Sequence, residues 1–191
     1  MSRQFITHAI KTIHKTSHFT FNVMDVETDG VPKDFPQLLR IPAVMIIPMT
    51  PTGRTVLVRQ YRYPVQQEMW EFCAGGIDAG EDPDVSARRE LIEECGLSVD
   101  TIEFITEFQA MPSAAINSFR VYIAYVPDDI LNTATHREGE DEILYTRIVH
   151  LNDIRDMILS GEFNSGTMLA AYGALTAYLD RARLGGQGGQ G

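Results

Sequence analysis

Three glutamates, Glu90, Glu93 and Glu94, crowd a segment that otherwise reads as a helix with well-marked ends. Asp82 can cap the start, Pro83 suits the first helical position, and Gly96 suits a left-handed C-terminus. At about 100° per residue the three carboxylates fall within an arc of roughly 100°. Ala87, Leu91, Cys95, Ile92 and Val85 spread over the other side, the flank expected to bury the helix. Like charges at about 4 Å repel by ~1 kcal/mol in water and by ~4 kcal/mol at an effective dielectric near 20. A divalent cation removes that penalty, and an all-oxygen donor set favours Mg²⁺ or Mn²⁺ over zinc. Arg89, four residues before Glu93, has the spacing to pair with it and fix its orientation. The plainer alternative is a solvated acidic helix face.

These residues need a scaffold, and the pattern supplies one. Strand signals lie at Ala43–Ile47, Thr55–Gln60, Thr101–Gln109, Arg120–Val126 and Ile143–Val149, with a Pro51-Thr52-Gly53 turn between the first two. Helical patterns cover Pro83–Cys95, Asn152–Ser160 and Ser165–Arg183. Strands interleaved with three helices predict a mixed α/β (α+β) domain over residues 41–184. Residues 1–40 carry short β-like runs such as Phe19–Val23, a Thr28-Asp29-Gly30 turn, and Pro32 and Pro36 as a connector: a small β extension. Residues 185–191, GGQGGQG, read as a flexible tail.

The 191 residues carry 16 Lys+Arg against 26 Asp+Glu, a formal charge of -10. Such a surface argues against nucleic acid and anionic lipid as partners. A phosphorylated substrate would then need local arginines or a divalent metal. Cys73 and Cys95 cannot build a disulfide framework or a zinc site alone and read as reduced thiols. His8, His14 and His18 have no second coordinating cluster nearby. No apolar run exceeds strand length and the start of the chain has no signal-like core, so a cytoplasmic location without membrane association is expected.

The wider spacing is specific. Gly75, five residues, Glu81, seven residues, Arg89-Glu90-Leu91, one residue, Glu93-Glu94, one residue and Gly96-Leu97 match the Nudix box at every defined position. The sequence therefore resembles Nudix hydrolases, whose loop–helix–loop binds divalent metal and a diphosphate linked to another moiety. The resemblance implies the Nudix α/β/α sandwich with a mixed sheet. It also implies Ala74 (through its carbonyl), Glu90 and Glu94 as metal ligands, with Glu93 as a further ligand or a water-orienting group.

Arg59-Gln60-Tyr61-Arg62, Trp70-Glu71, Ala74-Gly75 and Pro112, sixteen positions past Gly96, resemble the ADP-ribose pyrophosphatase group and its sugar-nucleotide relatives. Arg59 and Arg62 are the candidates to neutralise substrate phosphate, because guanidinium matches phosphate oxygens in a fork. Glu71 and Pro112 join them as substrate-binding candidates. A second acidic run, Glu138 to Glu142, offers Glu140 or Glu142 as the carboxylate that handles the attacking water. The expectation is Mg²⁺-dependent hydrolysis of ADP-ribose to AMP and ribose 5-phosphate. The alternatives are another nucleoside diphosphate sugar, such as GDP-mannose, or a non-catalytic ADP-ribose sensor. A sensor would be expected to lose box carboxylates, and this chain keeps them. Cys73 and the Ser113–Asn117 loop depart from the group's pattern and leave the substrate open. Relatives of this group dimerise through the N-terminal extension, which implies a homodimer with Phe19 or Phe21 near the adenine.

Overall fold

The computed structural model describes residues 3–135 and 143–186, with side chains through 182. Eleven strands and four helices are seen among them, in two compact units.

The first unit comprises Met1–Pro42 and Phe108–Phe119. It holds three long strands, β1 (Phe5–Lys15), β2 (Phe19–Thr28) and β3 (Val31–Arg40), each antiparallel to the next. Asp29 and Gly30 both take positive φ (52° and 82°) and close a two-residue hairpin between Thr28 and Val31. The strand extends through Pro32 and Pro36, which the sequence suggested as a connector. Leu38, of the same parity in β3, donates its N–H to Ala114 rather than to β2. The missing N–H of each proline therefore falls on the edge that β2 does not use, where a strand tolerates proline. The short strand β9 (Ala115–Ile116) pairs with β3 at Leu38 and Leu39 only. A polar rung crosses this sheet: Thr12 donates to Asn22 at 2.9 Å, and Asn22 donates to Gln37 at 2.9 Å.

The second unit, Ala43–Glu107 with Arg120–Gly191, carries the acidic helix. Its two sheets use β4 (Ala43–Met49), β5 (Arg54–Arg62), β6 (Gln67–Glu71), β7 (Cys73–Gly76), β8 (Ile102–Gln109), β10 (Ser118–Tyr125) and β11 (Ile143–His150). Their order is β7-β4-β10-β8 and β11-β5-β6. Strand β4 is buried on both faces from Val44 to Pro48, the pattern of a sheet covered on each side. Val44, Ile46, Val56 and Val58 pack with Ala87, Leu91 and Cys95 of α1 (Pro83–Cys95). Residues of opposite parity, Met45, Ile47 and Leu57, are equally buried. Beyond that face lie α3 (Leu151–Ser160) and α4 (Gly166–Gly186), and Phe163 in the segment between them meets Phe72 edge-on at 5.4 Å. The result is a helix–sheet–helix sandwich; α2 (Asp128–Leu131) is a single turn.

Two local details differ from expectation. Helix α3 starts earlier than Asn152, because His150 caps it and forms a reciprocal box with Asp153. Helix α4 runs to Gly186, past the Arg183 end and into the predicted tail. Residues 187–191 of that tail lie outside the described residues.

Candidate active site

Helix α1 begins and ends as its sequence dictates. Asp82 accepts the N–H of Asp84 at 2.8 Å, Pro83 follows, and Gly96 turns left-handed (φ 66°) while donating to the Ile92 carbonyl at 2.9 Å. The faces divide differently from the expected split of acids on one flank and burial on the other. Glu90 and Glu94 are themselves buried, at 9% and 6% exposure, whereas Val85 is 55% exposed. The helix therefore presents two carboxylates to β7 together with Ala87, Leu91 and Cys95. A merely solvated acidic face is excluded for this pair.

Gly75 makes the approach possible. A Cβ added there would lie 2.0 Å from the Glu90 carboxyl carbon, so any side chain would displace the carboxylate. One residue back, Ala74 donates its N–H to Glu94 at 2.8 Å. Register supports both contacts, since β7 pairs with β4 as Val44 with Gly75 and Met45 with Ala74. Burial pushes the Glu94 carboxyl up to about 8, and the Glu90 charge adds to the rise. The Ala74 N–H, the Cys73 thiol and the Arg62 charge act against it. Cys73 lies within hydrogen-bond reach of both Cys95 and Glu94, and burial raises its own pKa.

Arg89 ties the remaining acids together. Its Nε and Nη2 grip the two oxygens of Glu81 at 3.1 and 2.9 Å. Its Nη1 donates to Glu90 at 2.6 Å and to Glu93 at 3.0 Å, and Nη2 also reaches the Gly76 carbonyl at 3.0 Å. The expected pairing with Glu93 is present, but it is one contact of several. Glu81 was legible only as a spacing element. Its carboxyl drops to about 2, chiefly through Arg89 and then through the Ser86 hydroxyl, which donates at 2.7 Å.

The strand arginines separate. Arg62 donates through Nε (2.9 Å) and Nη2 to the buried Glu71, and its charge reaches Glu94. Glu71, expected to touch substrate, spends both oxygens on this pair. Arg59 sits three residues away, on the opposite face of β5, 5.2 Å from the Trp70 ring centroid and 3.4 Å from Glu68. Pro112, Phe19 and Phe21 belong to the first unit, with the two phenylalanines on β2. Glu140 and Glu142 lie outside the described residues.

The donor set suits a hard divalent cation. Glu90 and Glu94 are buried carboxylates that raise each other's cost, and the Arg89 guanidinium already holds positive charge between Glu90 and Glu93. Among the described residues no three His, Cys, Asp or Glu side chains stand in a ready-made metal arrangement. The set fits by chemistry, with Arg89 occupying part of the acidic arc.

The NUDIX domain family matches residues 39–172. The chain belongs to the Nudix family. Among its relatives is the ADP-ribose pyrophosphatase of Bacillus subtilis (strain 168), 30% identical over 177 residues, 88% of this chain and 89% of that one. The methanol dehydrogenase activator of Bacillus methanolicus is 34% identical over 122 residues, 60% of this chain and 65% of that one. A crystal structure of an ADP compounds hydrolase shares the fold, with a TM-score of 0.77 at 22% identity over 97% of this chain and 96% of that one. The Nudix sandwich and the Nudix helix predicted from the box are both present. No helix among the described residues is long and apolar enough to cross a membrane.

Proposed function

We propose that this Nudix protein hydrolyses the diphosphate of ADP-ribose, giving AMP and ribose 5-phosphate with Mg²⁺ or Mn²⁺. The observation that carries the reading is the buried pair Glu90 and Glu94, pressed against the bare backbone of Ala74 and Gly75. Burying two carboxylates side by side is costly without a cation to meet them. The likeness to ADP-ribose pyrophosphatases over most of the chain supplies the substrate class.

In this reading Glu90, Glu94 and the Ala74 carbonyl hold metal, and Glu93 is a further ligand or orients water. When bound, the metal neutralises phosphate charge and lowers the pKa of a water. Arg89 keeps Glu90 and Glu93 in place while fixing the loop through Glu81 and Gly76. Glu71 holds the Arg62 guanidinium, whose charge lies beside the carboxylates and meets substrate phosphate. Arg59 adds positive charge from the other face of the strand. Glu140 or Glu142 handles the attacking water. The parts of Phe19, Phe21 and Pro112 in recognising base and sugar rest on the family resemblance.

The same proposal includes a homodimer built partly from residues 1–40. Strand β1 is exposed along nearly its whole length, with Phe5 at 73% and Ile10 at 55%, a surface that favours pairing with a second copy. Sedimentation at micromolar concentration tests this; an active species near 21 kDa refutes it.

A panel of ADP-ribose, GDP-mannose, UDP-glucose, NADH and diadenosine polyphosphates, with products separated by chromatography, tests the reaction. ADP-ribose should give the highest kcat/KM. A tenfold preference for another member overturns the substrate, and no hydrolysis of any member overturns the reaction.

A further inference from the structure

A cavity of about 840 Å³ opens in the second unit, within the range that small-molecule sites occupy. None of its lining residues belongs to β6, β7 or α1, the elements that carry the acidic site. It lies at the Gly53 end of β5, whereas Arg62 closes the opposite end, about 26 Å along the strand at ~3.3 Å per residue.

The wall has a definite chemistry. Helix α4 contributes Tyr172, Leu175, Thr176 and Leu179, the spacing of one helical face, and that face opens onto space. Pro51, Pro127 and Leu151 extend the apolar surface.

Most of its polar groups are spent on the protein; the side chains of Asn152 and Arg155 are not. The Tyr172 hydroxyl donates to the Leu151 carbonyl at 3.1 Å, which fixes α4 against the start of α3. Thr176 donates to the Tyr172 carbonyl at 2.8 Å, and Thr52 to Asp128 at 2.6 Å. His150 accepts the Asn152 N–H on Nδ1 at 3.1 Å, so Nε2 donates to the Thr52 carbonyl at 3.1 Å and the neutral ring has no free nitrogen. Asp180 is engaged as well. Arg155 differs: it is exposed, lines the cavity, and has no hydrogen-bond or ion-pair partner among the described residues. A ligand entering here meets apolar walls, the uncharged Asn152 side chain and one unpaired guanidinium.

We propose that this cavity is a second binding site, for a small amphipathic anion. An aromatic or branched apolar body lies along the Tyr172–Leu179 face, and a single acid head takes the fork of Arg155. Guanidinium suits such a head because it pairs with two oxygens in one plane. A cation of the same shape meets the unpaired guanidinium, and the carboxylate that also lines the cavity, Asp180, is already engaged.

Calorimetric titration of the full chain with naphthalene-1-sulfonate tests this, with naphthalen-1-ylmethanamine as the cationic counterpart and no divalent metal present. The sulfonate should bind saturably at one site per chain, and the amine about tenfold more weakly or worse. Arg155→Gln should weaken the sulfonate by about fivefold or more, the loss of a partly exposed charge-assisted hydrogen bond. Thr176→Trp, which fills the cavity from the α4 face, should abolish binding while thermal unfolding stays cooperative. The proposal is overturned if the wild-type chain shows no saturable binding, if sulfonate and amine bind alike, or if Arg155→Gln binds as wild type. Because every readout is binding without metal, failure here is separate from failure of the hydrolase reading.

Discussion

Two glutamates, one in the loop just before helix α1 and one in its last turn, stand in opposite conditions. Two residues before the helix begins, Glu81 faces a guanidinium and a hydroxyl, and its carboxyl falls to about 2. At its last turn Glu94 is buried against Ala74 and Cys73, and its carboxyl rises to about 8. Glu81 is thus a fully ionised strut whose charge is met inside the protein. Glu94 is a carboxylate whose charge the metal-free protein barely tolerates. Pairs of acids driven apart by their surroundings commonly divide structural from chemical roles. Arg89 links the two regions, since it satisfies Glu81 and still touches Glu90 and Glu93.

The sharpest break in that comparison is Glu94→Gln. If Glu94 holds metal as proposed, hydrolysis should fall by at least about 10²-fold. In chelator the variant should unfold at the wild-type temperature or above it, because a neutral amide is cheaper to bury than a carboxylate. A variant with near-native kcat at saturating Mg²⁺ would reduce Glu94 to a core residue.

Gly75→Ala tests the same end without changing a charge. The added methyl would stand 2.0 Å from the Glu90 carboxyl carbon, so that carboxylate must leave its place. Activity should fall by roughly 10- to 100-fold, consistent with losing positioning rather than the group itself. Retention of full activity would mean that Glu90 works from elsewhere.

Arg89→Gln moves the effect to stability. Glu81, Glu90 and Glu93 would lose a shared counter-charge, and Gly76 a donor. About 2 kcal/mol should be lost in urea unfolding with chelator, the scale of charged hydrogen bonds that are partly exposed. No change in midpoint would show the arginine to be idle without metal.

The sequence made the helix, its caps and the family readable, because capping chemistry and box spacing are local properties of the chain. Burial of Glu90 and Glu94 was not readable, since period analysis assigns acids to the wet side; only the backbone approach at Gly75 reverses that. The strand through Pro32 and Pro36 was hidden because proline signals a break until the partner edge is known. Arg59 and Arg62 in the run Arg-Gln-Tyr-Arg were both candidates to meet substrate phosphate, and strand alternation sends them to opposite faces. Glu71 as the holder of Arg62 depends on the β5–β6 register, which pairs it with Val58 and which no short motif reports.

The smallest effect belongs to Glu81, and pH reveals it. Its carboxyl drops from an ordinary value of 4.5 to about 2 on folding. A depressed acid stabilises the folded state fully above its unfolded pKa, and loses that contribution as pH falls toward the folded one. Wild type and Glu81→Gln, compared in chelator, should differ in Tm by a constant small amount from pH 6 to 8. Below about pH 4.5 the gap should narrow, and near pH 2 it should close. The difference should be modest because solvent screens much of the pair. Glu81→Gln should also spare kcat far better than Glu94→Gln, since it loosens a strut and leaves the buried carboxylates intact. A gap that persists unchanged to low pH would mean that Glu81 acts through packing and that its contrast with Glu94 is not one of charge.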